Sequence, residues 1–335
     1  MIITHAKNIP RALQLLVSVV ILFSAAFPLA SCSSEDLQPD VDNNQTSADD
    51  STVSSLSLLF VSPGTTRAVS EGTISSVYVI LSDKAKSQGN IAYKTALQPT
   101  NGKVPLKVRP SNYNVYVWAN VPAKNFQSVS TLGDLDRVMY GSLSSYSELP
   151  MLGKGTATVP PDKTVTTSMV LNHLTAKLAF NIVSEYPAST VVSAKLYHNT
   201  VEIPLSGHLS TTTNIVTTTD SADLTKPIYV WGNSLIGKGT ATDWVKRDST
   251  DTPKNASYLE IKFQLFGEDI PTMRTYRVYL GGLTPDGKST DFADYNIYPG
   301  VAYTYDITLK RNGIAVWGHV PDPGYAESKA FTFEY

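Results

Sequence analysis

Apolar and polar positions alternate in short runs along most of the chain, and the first complete run spans residues 53–61. There Leu56, Leu58 and Phe60 fall on one face of an extended segment, and Ser57, Leu59 and Val61 on the other. This is the period-two pattern of a strand. Pro63 and Gly64 end it, because proline lacks an N–H for a ladder and glycine supplies turn geometry. Similar runs predict strands over 73–81, 90–97, 103–108, 113–119 and 163–171. Others follow over 174–183, 190–197, 213–218, 227–231, 258–266, 274–280, 301–309 and 314–317. The run at 73–81 turns continuously apolar, as in a strand buried on both faces. In 174–183, Leu174, Ala176, Leu178, Phe180 and Ile182 make one unbroken apolar face. A short helix is expected around 132–139.

Many short strands rich in Thr, Tyr and Val, with turn residues between them, predict an all-β protein built of β-sandwiches. Each half of the chain fits one sandwich, with the boundary near His173. The expected organisation is a leader at 1–31, an acidic tether at 32–52, a first sandwich at 53–172 and a second at 173–335.

The ends of the chain change this picture. Lys7 and Arg11 precede an apolar run from Leu13 to Leu29, the charged and hydrophobic regions of a secretory leader. Small residues, Ala30 and Ser31, then precede Cys32, the only cysteine among 335 residues. That arrangement is a lipobox, in which the Cys32 thiol is acylated and becomes the first residue. A lone cysteine excludes intramolecular disulfides and thiolate metal clusters. Residues 33–50 are polar and acidic and cannot bury enough surface to fold alone. Ser33-Ser34-Glu35-Asp36 reads either as solvated linker or as the acidic export signal of surface lipoproteins.

The net charge is −2. Glu35, Asp36, Asp40, Asp42, Asp49 and Asp50 all precede Arg67, the first basic residue after Cys32. The acid excess therefore lies in front of Ala68, and the remainder is near neutral. No form of the chain is basic enough to suggest nucleic acid.

The sequence nominates no catalytic residue, no metal site and no cofactor. His173, His198, His208 and His319 are scattered, without a metal-ligand spacing. No phosphate-binding glycine loop or nucleophile elbow is present. Pro285-Asp286-Gly287-Lys288, with Asp291 and Asp294 following, could be drawn as a calcium loop. It lacks the alternating oxygen ligands of an EF-hand, and Pro-Asp-Gly is a strong turn signal. An enzyme is not expected. Aromatics crowd the last 35 residues, and Phe331, Phe333 and Tyr335 share one face of a terminal segment with a free end.

Taken together, the lipobox Cys32, the acidic tether, a strand ending in a loop arginine, the boundary run LTAKLAFNI and the late stretch YPGVAYTYDITLKRNGI resemble the Bacteroides-type fimbrial pilins. These are type V, or fimbrillin, lipoproteins matured by an Arg-specific gingipain protease. The resemblance covers most of the chain and is nearest to an accessory or tip subunit of minor fimbriae. It implies two transthyretin-like β-sandwiches in tandem, an outer-membrane lipoprotein precursor and a mature subunit in an extracellular fimbrium. It implies scission between Arg67 and Ala68 and departure of the strand carrying Val53, Leu56, Leu58, Leu59, Phe60 and Val61. A neighbouring subunit's strand then fills the groove, and the candidate donor here is Phe331, Phe333 and Tyr335. The implied partners are other fimbrial subunits, the protease, and host surface proteins or glycans. The alternative is a lipoprotein that stays anchored and binds glycan or host protein through aromatic loops.

Overall fold

The computed structural model describes residues 53–61, 73–85, 89–141, 143, 148–185, 189–209, 216–217, 222–248, 250, 252–265, 272–310 and 313–319. These residues belong to one compact unit. The first half supplies β1 (Ser54–Val61), β2 (Val77–Asp83), β3 (Ile91–Leu97), β4 (Lys103–Val108), β5 (Ser111–Ala119), β6 (Met139–Tyr140), β7 (Met151–Val159), β8 (Thr164–Val170) and β9 (Asn172–His173). The second half supplies β10 (Thr175–Ser184), β11 (Ser189–Tyr197), β12 (Asn199–Thr200), β13 (Ile203–Pro204), β14 (Val216–Thr217) and β15 (Ile228–Trp231). It continues with β16 (Tyr258–Leu265), β17 (Thr272–Tyr279), β18 (Ala302–Lys310) and β19 (Gly313–His319). The protein is all-β, as the alternation predicts.

In the first half a three-stranded sheet, β4-β1-β8, packs on a five-stranded one, β3-β2-β5-β7-β9. Their shared core holds Leu56, Leu58, Leu106, Val79, Val117 and Val159. In the second half β15-β10-β18-β19 packs on β11-β16-β17. That core is built on Leu178, Phe180, Ile261, Phe263, Tyr305 and Ile307. The boundary run at 174–183 is β10, and four of its five apolar-face residues are buried, with Ile182 packed against the core.

A third cluster explains why 73–81 reads as continuously apolar. Val77, Val79 and Leu81 of β2 face the sandwich core, whereas Tyr78 and Ile80 face outward into a second apolar layer. Tyr78 stacks on Phe126 with ring centroids 3.9 Å apart. Trp118 joins them and donates its indole N–H to the carbonyl of Leu205 at 2.6 Å. A short pairing of β13 with β6 holds the covering segment in place.

The helix expected at 132–139 is instead two 3₁₀ turns, Ala123–Phe126 and Leu132–Asp136. Asp134 accepts hydrogen bonds from the Thr131 backbone at 2.8 Å and its hydroxyl at 3.0 Å, and this holds its carboxyl below the ordinary range. Gly133 disfavours a longer helix, and the chain must straighten at Met139 to enter β6. No alternating run marks residues 151–159, where β7 lies. Its Gly153 and Gly155 look like strand breakers but are required by close packing. A Cβ on Gly153 would lie 2.8 Å from the Val170 carbonyl, and one on Gly155 would lie 3.0 Å from the Met169 sulfur.

Arg247 anchors the long loops of the second half. It is 5% exposed. Its guanidinium donates to the carbonyls of Phe292, of Asp294 at 3.0 Å and of Leu280 at 2.7 Å. It lies 3.9 Å over the Tyr295 ring. Burial pulls its pKa down. Nearby, burial and the Asp294 carboxylate push Tyr298 up to about 12.

Candidate functional site

β1 is the middle strand of its sheet, hydrogen-bonded on both flanks. It runs antiparallel to β4, with Leu56 opposite Leu106 and Leu58 opposite Val104. It runs parallel to β8, with Leu56 opposite Val165 and Leu58 opposite Thr167. Backbone bonds extend the pairing past its ends, from Ser55 N–H to the Lys163 carbonyl at 3.1 Å and from Phe60 N–H to the Gly102 carbonyl at 2.9 Å. Ser54 is buried, and its hydroxyl donates to the Pro160 carbonyl at 2.8 Å. Ser54 shares the inward face with Leu56 and Leu58 by alternation, but its polar side chain gives it no place in an apolar run.

The buried load of β1 is narrower than five apolar residues. Leu56 and Leu58 are fully buried, and Phe60 packs half-buried against the same core. Leu59 and Val61 sit half-exposed on the outer face with Ser55 and Ser57, and Val53 precedes the strand and is 65% exposed. The alternation places Leu59 and Val61 on the outer face, so only the inward residues count. The two leucines alone contribute about 3–6 kcal/mol.

Beyond the chain preceding Ser54, one covalent link, residues 62–72, ties β1 to the rest. Arg67 and Ala68 lie in that link, outside the described residues, as do Cys32 and the aromatic residues Phe331, Phe333 and Tyr335.

The second sandwich repeats this arrangement. β10 is its first strand, antiparallel to β15 and parallel to β18. β1 and β10 thus occupy the same place, each between an antiparallel and a parallel neighbour. The parallel neighbour of β10 carries a further antiparallel strand, β19, on its far side.

The acidic loop that could be drawn as a calcium site is a turn. Gly287 N–H donates to the Thr284 carbonyl at 2.8 Å, and Gly287 adopts φ +64°. Asp286 accepts from the Thr284 hydroxyl and the Lys288 N–H. Asp291 pairs with Lys238 at 2.7 Å, and buried Asp294 accepts from Asn296 N–H and the Tyr298 hydroxyl. Among the described residues no group of three His, Cys, Asp or Glu is placed to hold a metal ion. A cleft of about 500 Å³ lies beside Leu152, His173, Ser206 and Pro299. Its lysine, Lys154, already donates to the Ser206 carbonyl at 2.9 Å.

No protein-family model and no curated protein matches the sequence. Solved structures do match the fold. A fimbrilin of Porphyromonas gingivalis aligns with TM-score 0.52 and 13% identity, over 77% of this chain and 90% of that one. The tip fimbrial protein Mfa3 of the same organism, with C-terminal truncation, aligns at TM-score 0.50 and 16% identity, over 81% and 99%. A candidate cell adhesion protein of Bacteroides eggerthii aligns at TM-score 0.54 and 14% identity, over 80% and 96%. The chain shares their fold along nearly their full length.

Proposed function

We propose that this protein is a structural or accessory subunit of a cell-surface fimbrium, exported as a lipoprotein and activated by cleavage after Arg67. The fold it shares with fimbrial and adhesion proteins supports the fimbrial part of this reading. The observation that carries the rest is the position of β1. A central strand near the start of a chain can leave without unthreading any other element, and its departure opens backbone hydrogen-bonding groups on β4 and β8 together.

On this reading acylated Cys32 tethers the precursor to the outer membrane, and the two sandwiches act as two domains joined near His173. An Arg-specific protease cuts between Arg67 and Ala68, which releases tether and β1 in one event. The exposed groove cannot stay empty, because unpaired ladder groups and a bared apolar floor favour any strand that fits. A neighbouring subunit's strand fills it by β-strand addition. The segment with Phe331, Phe333 and Tyr335 is the candidate donor. On this reading the mature subunit is tip-associated and contributes to adhesion.

N-terminal sequencing of protein recovered from intact fimbriae tests the reading. The expected first residue is Ala68, and Arg67→Ala is expected to leave full-length lipoprotein outside the fimbria. An acylated Cys32 as the mature terminus, or normal incorporation of the Arg67→Ala variant, would overturn it.

A further inference from the structure

Among the described residues both edges of the β4-β1-β8 sheet lack a further strand, and the two edges are built differently. On β4 the outward positions are Lys103, Pro105 and Lys107, all exposed. Edge lysines and a proline without an N–H are devices that discourage pairing. β8 has none of them. Its exposed positions are Thr164, Thr166, Ser168 and Val170, and its register with β1 runs without a bulge. In the second sandwich the corresponding strand, β18, has its far side covered by β19 in antiparallel pairing. The fold therefore accommodates a strand at this position.

We propose that the far edge of β8 pairs antiparallel with the β8 edge of a second copy of this chain, joining two three-stranded sheets into one six-stranded sheet across a two-fold axis. The available stretch is Thr164–Ser168, since Gly153 and Gly155 bring β7 against Met169 and Val170. Self-pairing centred on Thr166 sets Thr164 opposite Ser168 and Val165 opposite Thr167. Every pair is uncharged, and Thr–Thr and Thr–Ser neighbours across an antiparallel pair are favourable. The same pairing on β4 would set Lys103 opposite Lys107. A self-complementary edge closes as a two-fold dimer and does not propagate. Five paired residues a side bury less than the ~1,200 Å² of a standard interface, so the dimer is weak and dissociates on dilution. This interface lies on the side of β8 away from β1 and does not depend on β1 leaving.

Sedimentation equilibrium of the chain from Gln45 onward, from ~1 µM to ~1 mM, is expected to show a monomer–dimer equilibrium. The variant Thr164→Lys/Thr166→Lys/Ser168→Lys places lysine opposite lysine and is expected to weaken dimerisation about tenfold or more. All three positions are exposed, and an unchanged unfolding temperature checks that the variant folds. Lys103→Thr/Lys107→Thr on β4 is expected to leave the dimer unchanged. Thr166→Cys, on the two-fold axis, is expected to form an intermolecular disulfide under mild oxidation, since residues directly opposed in antiparallel strands lie within bridging range; from Gln45 onward the chain has no cysteine of its own. A monomer throughout, or a dimer that survives the triple lysine variant and gives no Thr166→Cys cross-link, would overturn the proposal.

Discussion

Individual side chains decide stability here where the sequence is least informative. In the run Asp243 to Asp248, Arg247 looks like one more solvated charge. Folding buries it and turns its fork on three carbonyls, those of Phe292, Asp294 and Leu280. A fixed planar fork suits this task and a lysine does not. Arg247→Ala would leave those acceptors without their partner at a cost of about 1–3 kcal/mol for each one left buried. The expected loss is about 3 kcal/mol or more in urea unfolding, with Arg247→Lys recovering less than half. Full recovery by lysine would mean that charge alone matters. The converse holds on β1, where Leu59 and Val61 look as apolar as Leu56 and Leu58 yet sit half in solvent. Leu58→Ala should cost about 2–5 kcal/mol, as for a core leucine. Leu59→Ala should cost under about 1 kcal/mol by the same assay. Equal losses would contradict the inward orientation of β1.

Strand patterns were legible element by element because period two records which face is buried. The alternation correctly located β1, β4, β5, β8, β10, β16 and β18 to within a few residues. It could not report which strand lies beside which, so the parallel pairing of β1 with β8 was invisible, although it makes β1 central. β7 was missed for a related reason. Its Gly153 and Gly155 answer to Met169, Val170 and Leu171, residues some 15 positions away that no local window includes. Gly153→Val should therefore weaken the seam between β7 and β8, where a Cβ already meets the Val170 carbonyl at 2.8 Å. The inward face of β1 was legible, since Leu56 and Leu58 are buried as the pattern requires. The partner of Ser54, the Pro160 carbonyl, and the unguarded edge of β8 emerged only from the assembled sheet.

At the scale of the whole molecule, β1 belongs to the fold energetically but is attached to it covalently at one point. A domain of this kind is stable by only about 5–15 kcal/mol. Removing Leu56, Leu58 and part of Phe60 from the core takes away a sizeable share of that, before any ladder bond is counted. A chain beginning at Ala68 should then be less stable than one beginning at Gln45 and should aggregate, because the gap between β4 and β8 presents two bare edges over an apolar floor. The gap also has a fixed register and a fixed spacing of pockets for Leu56 and Leu58. A synthetic peptide with the sequence of residues 52–61 should thus bind the shortened chain and restore its unfolding temperature. The same peptide carrying Leu56→Lys and Leu58→Lys should do neither, since its backbone can pair but its side chains cannot enter the core. Calorimetry of the two peptides against the shortened chain separates the contributions. Rescue by both would mean that backbone pairing alone fills the gap, and rescue by neither would mean that the gap closes once β1 is gone. Rescue by the native peptide alone is the outcome that strand replacement requires, because an incoming strand must satisfy the ladder and the core at once.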